Sequence, residues 1–383
     1  MRKIVTQLNL QDSLGGGEIY TRILIQAFAD LGWSTRLFVN SRAKFWQTLL
    51  APETEVVKIE SMQQLEAALG AKVDLLLTHS TLDSIWAPRM ACRATLVGML
   101  HMPLYERFPE GLRHYHRLFA VSRHVAQSAR SRGLENVSPV ELLGVADTRP
   151  RGPAAPLTRN SCYDWDRRKF RDRFLGWSAG LWSAGRWSAG LWSQPNRATA
   201  YEKIPGTLAL GIVSRLTPIK QFPLMFSFLA PVIARYPAVR LEIFGSGGFA
   251  SVRDLRSALG PCASQVRFWG QQSDVGAVYG QLDYVLSGLP EKEALGLNLI
   301  EAQVLGTPVI AVAAPPFLET VVDGKTGFLY RDPREDGGAE FAALLGSLIN
   351  GAERPVPGQA EAHLAQFSAV AFRDRLQAAL EGL

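Results

Sequence analysis

Two carboxylates eight positions apart, Glu293 and Glu301, enclose a run of apolar residues with one glycine and one asparagine, Ala-Leu-Gly-Leu-Asn-Leu-Ile. The stretch reads as a loop, a short helix, a turn and then the β-branched strand that begins at Val309. Asn298 followed three residues later by Glu301 is a capping-box pattern, which predicts a helix starting at Asn298. Gly306 is a natural helix stop, and Pro308 cannot continue a helix. Glu293 then lies in the loop that feeds the helix N-terminus, where backbone N–H groups and a partial positive charge favour an anion. Two readings stay open for each acid. Glu301 is a capping partner or a ligand; Glu293 is a solvated loop acid or a ligand.

A second set of residues could meet negative charge. Arg215 and Lys220 follow the strand expected at 208–213 and offer two positive charges at one strand end, matching a diphosphate. A charge-assisted hydrogen bond contributes roughly 1.5–3 kcal/mol, so two or more would anchor such a group. His79, His101 and Ser122 each close an expected strand. His101 is the best placed of the histidines, because Met102-Pro103 turns the chain sharply after it; His79 reads more simply as a satisfied core or surface residue. His114, His116 and His124 fall in arginine-rich, helical sequence without a metal-binding i,i+4 pattern and read as solvated. The glycines at 15–17, and Gly245 with Gly247, stand after strands where backbone can approach a ligand closely. Their spacing is not the dinucleotide fingerprint G-x-G-x-x-G.

The elements that position these residues alternate. Strands are expected near 3–10, 37–39, 56–59, 73–80, 95–101 and 118–122, with helices at about 19–31 and 63–69. A second series begins at Thr207, with strands at 208–213, 239–244, 266–270, 284–287 and 309–312 and a helix at about 223–235. Strand–helix alternation predicts two doubly wound α/β domains, with ligand-facing groups at the carboxyl ends of the strands. The 383 residues, 47% hydrophobic and 20% charged, suit two ordinary globular domains. The N-terminus has no apolar h-region, and no long apolar run predicts a spanning helix. Three scattered cysteines, Cys92, Cys162 and Cys262, form neither a metal spacing nor a disulfide framework. A cytoplasmic setting is expected.

Charge is uneven within the formal net +6. Residues 1–200 carry 26 Lys+Arg against 17 Asp+Glu. This predicts an anionic partner on that side, and Arg117, Arg123, Arg130 and Arg132 are the candidates for peripheral contact with an anionic inner membrane. Residues 151–205 break the pattern as a linker. They hold a basic helix at 167–176 and a five-residue repeat, Trp-Ser-Ala-Gly-x, from Trp177 to Ser193. Its period fits neither helix nor strand, so it reads as a tolerated surface insertion.

The ordered set Gly15-Gly16, His101, Ser214-Arg215-Leu216 to Lys220, Gly245-Ser-Gly247, Phe268-Trp-Gly270, Glu293 to Glu301, Gly306-Thr-Pro308, Glu319 and Asp323-Gly324-Lys-Thr-Gly327 resembles the GT-B-fold retaining glycosyltransferases, family 4 (group 1). The likeness covers both halves and excludes the repeat. It implies a GT-B architecture: two Rossmann-like domains facing across a cleft. Residues 1–150 would bind the acceptor and 206–368 the nucleotide sugar, with a terminal helix at about 369–383 crossing back onto the N-terminal domain. Arg215 and Lys220 would hold the donor pyrophosphate, and Glu301 the ribose hydroxyls. Glu293, with the N–H groups of Leu295, Gly296 and Leu297, would hold the donor sugar. His101 would reach that sugar, and Gly15, Gly16, Gly245 and Gly247 would let backbone approach the ligand.

The implied activity is retaining, metal-independent transfer from a nucleotide diphosphate sugar, UDP-linked by preference and GDP-linked as second choice. The acceptor would be a glycan or lipid-linked precursor of lipopolysaccharide or surface polysaccharide. No cofactor and no nucleic-acid partner is expected. Asp164-Trp-Asp166 has the letters of a metal motif but falls in the basic linker. Ala314-Pro315-Pro316 stands where the family often has a glycine pair, which puts one phosphate or sugar contact in question. The alternatives are a catalytically silent glycosyltransferase-like scaffold and a nucleotide-sugar epimerase on the same fold.

Overall fold

The computed structural model describes residues 3–69, 73–105, 108–146, 156–163 and 200–383. The basic helix, the tryptophan repeat and the Asp164–Asp166 pair expected from the sequence lie outside these residues. The chain divides into two compact units: Met1–Ala146 with Lys292–Ile300 and Glu361–Leu383, and Asp147–Glu291 with Glu301–Ala360. This differs from a division at residues 150 and 369. The Glu293 loop groups with the first unit, whereas Glu301 groups with the second.

The first unit holds β1 (Ile4–Asn9), β2 (Ser34–Asn40), β3 (Glu55–Ile59), β4 (Val73–Thr78), β5 (Ala94–Leu100) and β6 (Arg117–Ala120). They form one sheet in the order β3-β2-β1-β4-β5-β6, with every pairing parallel. Continuous apolar runs build it: Leu75, Leu76 and Leu77 on β4, and Leu96 and Val97 on β5, are buried, as strands covered on both faces require. The direction of winding reverses between β1 and β4, so their carboxyl ends open a crevice.

The helix Ala369–Glu381 belongs to this unit. Ser368 caps it by accepting from the Ala371 N–H at 3.2 Å, and Phe372, Leu376 and Ala379, spaced four and three apart, form its buried face. Phe372 meets Tyr20 of the helix Gly16–Asp30 edge-on, ring centroids 5.5 Å apart. The expected return of the terminal helix to the N-terminal domain is thus present.

The second unit repeats the winding with β7 (Leu208–Val213), β8 (Val239–Phe244), β9 (Val266–Gly270), β10 (Tyr284–Leu286), β11 (Val309–Val312) and β12 (Gly327–Tyr330). The order is β12-β11-β10-β7-β8-β9, again all parallel, with the reversal between β7 and β10. The deepest charge among the described residues of this unit is Glu242. Glu242 on β8 is fully buried and accepts from Arg267 Nε at 2.9 and 3.0 Å and from Trp269 Nε1 at 2.6 Å. A buried carboxylate is tolerated only with such pairing.

Candidate functional site

In the first unit the functional candidates gather at the carboxyl ends of the strands. β1 ends in Asn9, whose Nδ2 donates to Thr21 Oγ1 at 3.0 Å and whose Oδ1 accepts from the Gln11 N–H at 3.0 Å. Leu10 N–H donates to Ser80 Oγ at 2.9 Å, tying this loop to the end of β4. The following helix begins at Gly16, three residues earlier than the sequence suggested, with extended Gly15 as its N-cap. Glu18 falls in its first turn, where the helix dipole favours an acid. A side chain at Gly16 or Gly17 would meet nothing within 4 Å. Glycine there is therefore not demanded by packing against the protein.

His101 follows β5, and its Nε2 lies 3.0 Å from Nδ1 of His79, which follows β4. His79 is buried and places its own Nε2 2.9 Å from Gln7 Oε1 on β1. His79 is thus a buried histidine with both ring nitrogens satisfied, as the sequence reading had it, and His101 is one of its partners. Burial lowers the affinity of His101 for a proton, to a pKa of about 4. Burial, with His101 second, holds His79 well below the usual imidazole range. Both rings are neutral at pH 7.

The sign of the pH dependence follows from these shifts. An unfolded histidine binds a proton near pH 6.5, which these two resist when folded, so their contribution is full above that pH and is lost as pH falls toward 4. The melting temperature is expected to drop between pH 6.5 and 4.5, and the drop should be shallower in a His79→Asn/His101→Asn double variant. Equal slopes in a melting series would refute the assignment.

Ser122 at the end of β6 has two structural duties. Its Oγ accepts from the Val125 N–H at 3.1 Å as helix cap and donates to the Ala294 carbonyl at 2.6 Å. The second bond pins the Glu293 loop. Glu293 Oε1 accepts from the N–H groups of Ala294 and Gly296, each at 3.2 Å. One of the three N–H groups expected to face a donor sugar, that of Gly296, is thus given to Glu293 itself. Leu295 is buried in a small cluster with Leu143, Ile300 and Phe367. Burial, then the charge of Glu293, pushes the Tyr105 phenol up to about 12.

Of the histidines expected to be solvated, His114 and His116 are exposed, and His116 Nδ1 also accepts from the Leu96 N–H at 3.0 Å; His124 is only partly exposed. His116 sits between a short 3-10 helix and β6, and β5 supplies the backbone donor.

In the second unit β7 ends at Val213, and the chain turns through Ser214, Arg215 and Leu216 to the short 3-10 turn Pro218–Lys220. Arg215 is exposed and Lys220 partly so. The loop after β8 lies directly on this turn. Leu216 N–H donates to Ser246 O at 2.9 Å, and Gly245 N–H to Gly270 O at 2.8 Å. A Cβ at Gly245 would fall 1.8 Å from Ser214 O, and one at Gly247 2.1 Å from Leu216 O. The sequence assigned these two glycines to ligand contact; in the fold each is first required so that two backbones can cross. Gly288 of the β10 loop approaches the Lys220 carbonyl in the same manner, with a Cβ there falling 2.5 Å away.

The helix Leu297–Val304 starts one residue before Asn298, so Asn298 lies inside its first turn rather than ahead of it. Buried Glu301 accepts from the Tyr279 hydroxyl at 3.0 Å through Oε2. The helix ends as the sequence indicated. Gly306 has φ +84°, Gly306 N–H bonds Gln303 O at 3.0 Å and Thr307 N–H bonds Ala302 O at 2.9 Å, the paired bonds of a Schellman ending.

At the proline pair, Ala313 and Ala314 give their N–H groups to the Tyr330 and Val312 carbonyls, both at 2.7 Å. Sequence reasoning missed Tyr279, Gln7 and the pairing of His79; none carries a local signal.

Among the described residues, no group of three or more His, Cys, Asp or Glu side chains is arranged to hold a metal ion, and no helix is long and apolar enough to cross a membrane.

Residues 207–350 match the family described as glycosyl transferases group 1. Among curated proteins, D-inositol 3-phosphate glycosyltransferase of Rhodococcus erythropolis is 32% identical over 177 residues, 43% of this chain and 39% of that protein. Phosphatidyl-myo-inositol mannosyltransferase of Mycobacterium tuberculosis is 31% identical over 134 residues, 34% of each. The aligned stretches thus span well under half of these relatives. Among solved structures, Anabaena HepE in complex with UDP superposes with a TM-score of 0.67 at 20% identity, over 100% of both chains. A glycosyltransferase from Rickettsia africae superposes at 0.68 and 16% identity, over 99% of this chain and 98% of the other. These likenesses give the fold: two doubly wound units in the GT-B architecture. The resemblance drawn from the sequence is borne out in the fold and in the group 1 domain at 207–350.

Proposed function

From a chain that carries a group 1 glycosyltransferase domain within a GT-B fold, we propose a retaining glycosyltransferase that moves a sugar from a nucleotide diphosphate sugar to a hydroxyl acceptor. The observation that carries this reading is the cationic turn Arg215–Lys220. It stands at the carboxyl end of β7, beside the β10 loop, where the winding reverses inside the matched domain. An open α/β sheet binds its ligand at that point. The bond from the anomeric carbon to the β-phosphate oxygen breaks and the bond to the acceptor oxygen forms. The acceptor proton passes to the leaving phosphate on the same face, so configuration is retained. Arg215 and Lys220 meet the charge that develops on the diphosphate, and no metal ion is required of this mechanism.

A UDP-linked donor is favoured, since the Anabaena structure holds UDP; a GDP-linked donor is the second choice. The named relatives point to acceptors that carry phosphate. Such an acceptor accords with the basic N-terminal half and with a lipid-linked glycan precursor of lipopolysaccharide or another surface polysaccharide. The enzyme would then work from the cytoplasm at the face of an anionic membrane, with exposed Arg123 and Arg132 as contacts. Glu301, already bonded by Tyr279, retains the ribose assignment, and Glu293 that of the donor sugar.

A thermal-shift screen tests the reading. UDP and UDP-sugars are expected to raise the melting temperature progressively with concentration, by more than the corresponding GDP compounds. No rise with any nucleoside diphosphate or nucleotide sugar would sink it.

A further inference from the structure

Three side chains at the carboxyl ends of β1, β4 and β5 form a chain of hydrogen bonds that the reaction above does not by itself require. Gln7 is wholly buried and presents Oε1 to Nε2 of His79 at 2.9 Å; Nδ1 of His79 lies 3.0 Å from Nε2 of His101. With Oε1 toward the ring and the amide's own Nε2 buried without a partner, the amide accepts, so the hydrogen of His79 is on Nε2. A neutral imidazole has one N–H, so Nδ1 of His79 is an acceptor. Its partner, Nε2 of His101, must then carry the hydrogen, which leaves Nδ1 of His101 with a lone pair.

The ring is also held in place. It stacks on His79 with centroids 5.3 Å apart and meets Tyr20 edge-on at 5.2 Å. The Tyr20 hydroxyl is fixed in turn by donation to the Leu142 carbonyl at 2.5 Å. Burial keeps both imidazoles neutral at pH 7, so protonation does not scramble the order.

We propose that Gln7 and His79 are positioning residues that lock His101 in its Nε2–H tautomer, so that His101 engages the transferred sugar by accepting a hydrogen bond from a hydroxyl at Nδ1. This rests on the glycosyltransferase reading and adds a selectivity: the sugar must present a hydroxyl donor at that point. A site that binds a hydroxyl by a buried partner discriminates strongly against analogues lacking it. The dependence runs from Gln7 outward, because the amide's orientation sets the order: with its Nε2 toward His79, both rings would carry their hydrogen on Nδ1.

The test is a long-range proton–nitrogen correlation spectrum of the full chain labelled at histidine nitrogens, at pH 7.5, with signals assigned through His79→Asn and His101→Asn. His101 is expected with its hydrogen on Nε2 in the wild type, as a mixture of tautomers in Gln7→Leu, and restored in Gln7→Glu, whose carboxylate also accepts. In turnover, Gln7→Leu should lower kcat by roughly 10- to 100-fold with KM for the nucleotide sugar changed less than about twofold, and Gln7→Glu should recover most of it. A wild-type His101 with its hydrogen on Nδ1, or the same tautomer in wild type and Gln7→Leu, would overturn the proposal. The wild-type spectrum alone decides if Gln7→Leu does not fold. The spectra do not depend on turnover, so a failure of the glycosyltransferase reading is seen separately, as absence of transfer with the tautomers as assigned.

Discussion

Replacing Arg215 with alanine is expected to lower sugar transfer by roughly a hundredfold or more while leaving the melting temperature nearly unchanged. The guanidinium belongs to an exposed residue in the turn after β7, so its removal opens no cavity in the core. Its chemical duty is concentrated in the transition state, when negative charge grows on the departing diphosphate. An interaction made stronger in the transition state than in the ground state appears in kcat as well as in kcat/KM. Arg215→Lys should recover part of the rate, because charge is kept while the planar two-point fork is lost. The measurement is steady-state transfer with the donor found by thermal shift. Unchanged turnover in Arg215→Ala would remove Arg215 from the machinery and leave the charge of Lys220 to account for diphosphate stabilisation.

Gly245→Ala is expected to cost more than about 4 kcal/mol, enough to unfold the second unit or render the chain insoluble. The new Cβ would stand 1.8 Å from the Ser214 carbonyl oxygen, and the residue has φ +149°. The obstacle is backbone on a strand end, held by Ser214 N–H bonding Phe244 O at 3.1 Å and Gly245 N–H bonding Gly270 O at 2.8 Å. No side-chain rotation relieves such a contact. Gly248→Ala, three residues on, supplies the control: its Cβ would meet nothing within 4 Å. It is expected to melt close to the wild type. Similar melting of the two variants in denaturant would show that the crossing of these loops does not depend on glycine. The two predictions are linked, since the same crossing fixes the turn that carries Arg215.

The comparison between sequence and fold is most instructive at these sites. Local pattern located most of the strands within a few residues, because a strand covered on both faces must be an apolar run and its neighbours must supply turns. The helix after the glycine-rich turn was placed three residues late, since three consecutive glycines carry low helix propensity. Tertiary burial of Ile19, Tyr20 and Ile23 overrides that. The capping box was misplaced for a related reason: Asn298 and Glu301 have the right spacing, but the helix begins a residue earlier and Tyr279 holds the carboxylate at 3.0 Å.

By itself the sequence determined two doubly wound parallel sheets, the strand ends at which His101, Arg215 and Lys220 stand, and the Gly306 helix stop. Each follows from apolar periodicity or from a single residue's backbone preference, which are local properties. Only the tertiary structure decided that His79 partners His101, that Gln7 meets His79, that Glu301 is bonded by Tyr279, and that Gly245 and Gly247 serve a backbone crossing. Gln7 and His79 are 72 positions apart. They meet because β1 and β4 are neighbours at the reversal of winding, and a hydrogen bond between neighbouring strands leaves no periodicity along the chain.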